Sequence, residues 1–262
     1  MKEIVLTKIK RLKDNTFRLQ ITFKHTKNRL PQRKAVGADW NMFKNEVFRT
    51  SENDKIAISS KVIKKAHLLE DEINELKSLR DRECNKHGKS KLWLEYQNKQ
   101  AKLFAKRSNI LTETYRKLAH DLVDNYDTII IEKINAYEMR KRNKYMTQNQ
   151  NIGKNKRLAL LKPYELSLIV QSLVNRQNKT LIKVDPYKTS QVEYGTEFEE
   201  KHDLAEVDSN GERIYISKNT GEKIDRDYNA ALNIKEWGLH PEKHVKLKDF
   251  PNLKPSNLVE II

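Results

Sequence analysis

The order in which hydrophobic spacing changes along this chain constrains its fold more than any other feature. From Lys34, three short runs (KAVGADWNM, EVFRTS and KIAIS) follow one another, separated only by FKN and END. Connectors that short suit antiparallel turns, so a three-strand meander is expected over residues 34–59. Residues 60–126 change period. Val62, Ala66, Leu69, Ile73 and Leu76 recur at the alternating spacing that forms one stripe of a helix. Gly88 punctuates, and a second stripe runs through Trp93, Leu103, Leu111, Tyr115, Leu118 and Leu122, which predicts a helical hairpin turning near HGKS. DTIIIE at 127–132 then reads as a fully buried strand. A helix follows at 163–177, with Pro163 tolerated in its first turn, then a buried strand TLIKV at 180–184 and a last helix from Asp227 to Trp237.

Three antiparallel strands, helices, strand, helix, strand, helix is the element order of an RNase H-like α/β fold with a mixed sheet. In that fold the fourth strand lies beside the first. Asp39 falls within the first strand, Glu132 ends the fourth, and Asp227 opens the final helix. An acid embedded in a strand is unfavourable without a partner, which makes Asp39 the least ordinary of the three. Converging carboxylates hold hard divalent cations, Mg²⁺ or Mn²⁺. Two such ions roughly 3.5–4 Å apart can stabilise both the attacking and leaving oxygens of a phosphodiester. Asp39, Glu132 and Asp227 are therefore the expected catalytic and metal-binding residues for two ions, with Asp225 as a rival to Asp227.

The flanks carry charge. KEIVLTKI and TFRLQITFK read as two strands of a hairpin, with Phe17, Leu19, Ile21 and Phe23 alternating as a half-buried strand requires. Residues 1–34 hold 11 Lys/Arg against 2 acids, and Pro31 marks a short linker. Positions 139–164 contain eight Lys/Arg and no acid, and read as a mobile basic loop. Within it Arg140, Lys141, Arg142, Lys154, Lys156 and Arg157 are the expected phosphate contacts. Tyr187 and Tyr194 are candidates for stacking on unpaired bases. Residues 186–224 read as irregular with a small hairpin around ERIYISKNTGEKI, and the tail from Leu239 reads as peripheral.

The 262 residues carry a net charge of +16 and a pI near 9.6, the footprint of a polyanion binder. No apolar run approaches the roughly 20 residues needed to span a bilayer, and the N-terminus lacks the apolar segment of a secretory signal. The lone cysteine, Cys84, permits no internal disulfide, and a cytoplasmic, nucleoid-associated protein with no membrane partner is expected.

Taken together, VGADWNMFKN, IIIEKINAYEM and DRDYNAALNIKEWG resemble the three RuvC motifs of the TnpB family, transposon-encoded RNA-guided nucleases related to type V CRISPR effectors. KVDPYKTSQ, leading out of the fifth strand, is similar to that family as well. The resemblance implies DNA cleavage directed by a guide RNA, with Asp39, Glu132 and Asp227 at the metal-binding positions. It divides the chain into a hairpin remnant of a wedge (oligonucleotide-binding) domain at 1–33, a RuvC-like domain at 34–238 with a helical insertion at 60–126, and a tail at 239–262. Two departures accompany it. The stretch at 186–224, where the family usually carries a four-cysteine zinc finger, has no cysteine. Ser217 and Thr220, before Gly221, stand where the second cysteine pair would be. No zinc is therefore expected, and the insert is expected to be held by its own packing, with His202 on the surface. The chain also begins just before the catalytic core, so a separate chain carrying the wedge and recognition domains is an expected partner. The alternatives are a guide-directed binding protein or repressor that does not cut, and an inactive transposon remnant.

Overall fold

A computed structural model describes residues 3–12, 16–24, 34–41, 45–141, 144, 146–196, 205–247 and 258–262. The chain forms two compact units, one from residues 1–29 and 59–115, the other from residues 30–58 and 116–262.

In the first unit, β1 (Glu3–Arg11) and β2 (Phe17–Lys24) pair antiparallel, with Ile9 opposite Leu19 and Arg11 opposite Phe17. The alternation is as the sequence predicts, but its burial is not. Phe17, Leu19 and Ile21 are 70%, 59% and 42% exposed. Two strands alone give an apolar face nothing to pack on. The helices α1 (Ser60–His87) and α2 (Lys91–Val123) form the expected hairpin. Ser59 caps α1 by accepting from the Val62 amide, and Gly88 ends it at φ +67°. Ala66, Leu69 and Ile73 are the buried stripe of α1. Polar ties join the two helices: Gln100 Nε2 donates to the Ile73 carbonyl at 3.3 Å, Arg80 donates to Gln100 Oε1 at 2.8 Å, and Arg107 pairs with Glu70.

The second unit is built on a six-stranded sheet in the order β11-β7-β6-β3-β4-β5. Its strands are β3 (Ala35–Trp40), β4 (Glu46–Thr50), β5 (Lys55–Ala57), β6 (Thr128–Glu132), β7 (Thr180–Val184) and β11 (Val259–Ile261). β3, β6 and β7 run parallel, while β4 and β5 return antiparallel from β3. Strand order and direction are those of an RNase H-like fold, with β11 added antiparallel outside β7. The β-branched runs TIIIE and TLIKV are buried, as central parallel strands must be.

The helix α6 (Arg226–Leu239) packs on β3, β4, β6 and β7. Its Ile234 and Trp237 join Ile130, Ile182 and Val184 in one apolar cluster. Two glycines let it lie close. A Cβ on Gly37 would overlap the Ala231 carbonyl oxygen and stand 2.6 Å from the Lys235 amide nitrogen, and one on Gly238 would overlap Ile130. Gly37→Ala is therefore expected to cost on the order of 3 kcal/mol or more, since the obstruction is backbone that cannot yield. Chemical denaturation measures this, and a loss below about 1 kcal/mol would mean that the helix can shift away.

Three segments differ from the sequence expectation. Residues 139–164 are largely helical rather than a loop: α3 (Ala136–Arg140) is followed by α4 (Gln148–Leu161). A capping box between Thr147 and Gln150 starts α4, and buried Leu158 anchors its far end. In the region 186–224 the expected small hairpin is present as β9 (Arg213–Ile216) and β10 (Lys223–Asp225), and β8 (Glu206–Val207) adds a third strand to it, in the order β10-β9-β8. The tail supplies β11 and α7 (Pro241–Leu247), whose buried His244 stacks on Trp237 with ring centroids 4.2 Å apart. The helix α5 (Pro163–Arg176), between α4 and β7 in chain order, packs on β7 and buries Leu166, Val170 and Val174.

Candidate active site

Register brings the first two acids together. Gly37 pairs with Ile130 and Ala38 with Ile131 in the parallel β3–β6 ladder, so the next step sets Asp39 alongside Glu132. Parallel neighbours at one level point to one face. That face is the one under α6, because Gly37 and Ile130, two residues before each acid, both meet the helix. The third acid follows from helix period. Ala231 lies over Gly37, and Asp227 is one turn earlier on the same helix face, toward the ends of the strands.

The electrostatics agree with this placement. Asp39 is 5% exposed, and its carboxyl is pushed well above the ordinary carboxylate range, first by burial and then by Glu132 and Asp227. Arg226 and Arg213 oppose that rise. Burial also raises Glu132, while a hydrogen bond from Thr189 pulls it down. These are hard oxygen donors crowded at a buried edge, and their mutual repulsion is the condition that a divalent cation relieves. In donor type the residues fit Mg²⁺ or Mn²⁺.

They are not a preassembled shell. Among the described residues, no group of three His, Cys, Asp or Glu side chains is arranged to hold a metal ion. Asp227 is turned to cations of the chain itself. Arg213 donates from Nε at 3.1 Å and again from Nη2, Arg226 Nη1 donates at 3.2 Å, and Asn41 Nδ2 at 2.9 Å. Asn41 in turn accepts from Arg213 Nη2 at 2.9 Å, and Arg226 Nη2 donates to Ser190 Oγ at 2.8 Å.

The rivalry between Asp225 and Asp227 has a local explanation. Asp225 is the N-cap of α6, accepting from the amides of Asp227 and Tyr228 at 2.9 and 3.3 Å, and it pairs with buried Arg49. Its carboxylate is occupied by helix initiation, whereas Asp227 lies near enough to Asp39 to raise that carboxyl.

Sequence reasoning did not single out Asn41, Arg49, Thr189, Arg213, Arg226, Asn229 or Asn233. The last two carried a signal: they sit four apart on the apolar face of α6 and are buried. Asn229 donates to the Val192 carbonyl at 2.8 Å, and Asn233 to those of Thr189 and Val192 at 2.9 and 2.7 Å. They pin the TSQV loop to the helix, and the loop delivers Thr189 to Glu132.

Of the basic candidates, Arg140, Lys141 and Lys156 are exposed, and Arg142 lies outside the described residues, as does His202. Lys154 donates to the Lys141 carbonyl at 2.7 Å, tying α4 to the end of α3. Arg157 is partly buried, which lowers its pKa. Tyr187 and Tyr194 are 39% and 41% exposed.

Hydrogen bonds organise the cysteine-free insert. The buried Ser217 hydroxyl accepts from the amides of Asn219 and Thr220 at 3.2 and 3.1 Å and donates to Glu193 Oε1 at 2.6 Å. Ser217→Ala is expected to cost about 1–3 kcal/mol by leaving these groups unsatisfied. Urea denaturation checks it, and an unchanged midpoint would deny the network any role.

Comparison with known proteins adds a second line. The profile of a family described as a probable transposase, OrfB_IS605, matches residues 18–143, and that of a Cas12f1-like TNB domain matches residues 164–234. Together these two matches support the TnpB family. Each of the three acids falls inside a matched segment. Among solved structures, a cryo-EM structure of a CRISPR-Cas12f ternary complex matches at 17% identity and a TM-score of 0.45, covering 87% of this chain and 44% of that one. The chain thus spans less than half the length of that relative. No curated protein matches. Among its described residues, no helix is long and apolar enough to cross a membrane.

Proposed function

We propose that this chain is an Mg²⁺-dependent, RuvC-type DNA endonuclease of the TnpB family, directed by a guide RNA. The observation that carries the reading is the register that sets Asp39 beside Glu132, under the helix that carries Asp227. Asp39, Glu132 and Asp227 would hold the two ions. When bound, the ions would stabilise charge on the attacking and leaving oxygens of a phosphodiester.

The chain's own residues do the positioning. Thr189 orients Glu132, and the α6 N-terminus favours negative charge at Asp227. Arg226, held by Ser190, adds a fixed positive charge where a phosphate would approach. Lys and Arg side chains of α3 and α4 would supply sequence-independent affinity for nucleic acid, weakening steeply with salt.

Cleavage of single-stranded DNA with Mg²⁺, comparing the chain with Asp39→Ala, tests the reading. Activity that is lost in the variant and in chelator supports it, and equal residual activity in both would overturn it. Sequencing of co-purified RNA tests the guide, where recovery of only random cellular RNA would remove that part. The saturation of Asp227 by two arginines also suits a guide-directed binding protein that does not cut, and the same cleavage assay separates the two.

A further inference from the structure

The carboxylate of Asp227 accepts from Arg213 twice, from Arg226 and from Asn41, which uses its oxygen lone pairs. An ion could not ligate Asp227 until one of these donors leaves. They come from different elements. Arg226 lies on α6 itself and also donates to Ser190, and Asn41 is buried just beyond the end of β3. Arg213 comes instead from β9 of the insert; beyond Asp227 it donates to Asn41 Oδ1, and its side chain is 26% exposed, much as that of Arg226 is at 25%. The insert is docked where Lys55 and Arg49 pair with Glu212 and Arg49 pairs with Asp225, contacts that hold the backbone beside Arg213 without using its guanidinium. A cavity of about 250 Å³ adjoins it, lined by Arg213 and Asp227 together with Glu46 and Glu212, which gives the guanidinium both room and acceptors.

We propose that Arg213 is a displaceable latch on this site. In the chain free of nucleic acid it holds Asp227, and a strand phosphate competes for its guanidinium, so divalent-ion binding is coupled to nucleic-acid binding. A planar guanidinium favours a phosphate at least as well as a carboxylate, since both accept it bidentately. By linkage, whatever draws Arg213 away raises ion affinity, and bound ion favours the strand in equal measure. The latch would keep a chain of this charge from loading metal before a strand is present. The inference rests on the nuclease reading above, because it takes Asp227 as an ion ligand.

The test is Mn²⁺ binding to the full chain, followed by the electron paramagnetic resonance signal of free Mn²⁺, for wild type, Arg213→Gln and Asp39→Asn, each with and without a single-stranded deoxyoligonucleotide. Without the oligonucleotide, Arg213→Gln is expected to bind Mn²⁺ about tenfold more tightly than wild type, and Asp39→Asn to lose that site. Adding the oligonucleotide should tighten wild type by a similar factor and leave Arg213→Gln nearly unchanged. Equal or weaker binding by Arg213→Gln, at a site that Asp39→Asn abolishes, would overturn the latch and leave the metal site intact. Absence of any Asp39-dependent Mn²⁺ site in all samples would overturn both. Thermal unfolding shows whether Arg213→Gln is folded; if it is not, Arg213→Lys, which cannot make the two-pronged contact, is expected to show the same direction of change, and identity with wild type would sink the proposal.

Discussion

Asp39→Asn is expected to lower Mg²⁺-dependent DNA cleavage on the order of 10³-fold while making the folded chain more stable at neutral pH. The two effects share a cause. In the folded chain, burial, Glu132 and Asp227 lift the Asp39 carboxyl above its ordinary value. Between the ordinary and the lifted value the folded state holds a proton that the unfolded state has released. Stability is thus full below the ordinary carboxylate range and declines as pH rises through the folded value. Asparagine cannot ionise and keeps much of the shape, so it removes that decline. The expected gain is about 1–2 kcal/mol, or on the order of 3–6 °C in Tm for a chain of this size, present at neutral pH and vanishing near pH 4. Thermal unfolding across that pH range in metal-free buffer measures it. A Tm loss at neutral pH would mean that Asp39 stabilises the fold as a charged group.

Arg49→Ala is expected to produce the largest loss of stability, on the order of 3–5 kcal/mol. Its side chain is 4% exposed and faces Asp225, Glu46 and Glu212. Removing it leaves Asp225 without its counter-charge at the start of α6 and two further acids beside it. The expected fall is roughly 10 °C in Tm, accompanied by reduced cleavage, since the N-cap of α6 also sets the position of Asp227. Lys55→Ala is the contrast. Lys55 contacts the same Glu212, but it is 46% exposed, so its removal should cost about 1 kcal/mol or less. Urea denaturation of both variants checks the pair. Equal losses would show that burial does not decide the value of these contacts.

Much of the fold was legible because the strands that build the sheet are short, β-branched and bounded by turns, and because α1 and α6 carry apolar stripes. Asp39 and Glu132 stood out as candidates because they lie within and at the end of strands, whereas Asp227 opens a helix, an ordinary place for an acid, and was picked out by element order. What escaped depends on distance or on weak local signal. The helix α4 is rich in Asn, Gln and Lys, so its apolar period is faint, and only Thr147 and Gln150 mark its start. β11 exists only through pairing with β7, between segments far apart in sequence. The exposed face of β1–β2 shows the reverse limit: alternation predicts a strand but not what covers it. Arg49 reaches Asp225 across 176 residues, and no spacing rule anticipates such a contact. Arg213 lies in the small hairpin that the sequence predicts around ERIYISKNTGEKI, but nothing local shows that this hairpin brings it to Asp227.

Crystals of the chain grown with Mn²⁺ and a single-stranded oligonucleotide, with the anomalous signal of manganese used to locate the ions, test the central claim most directly. Two peaks are expected within ligating distance of the carboxylate oxygens of Asp39, Glu132 and Asp227. Manganese bound elsewhere, with none in ligating distance of Asp39, would contradict it.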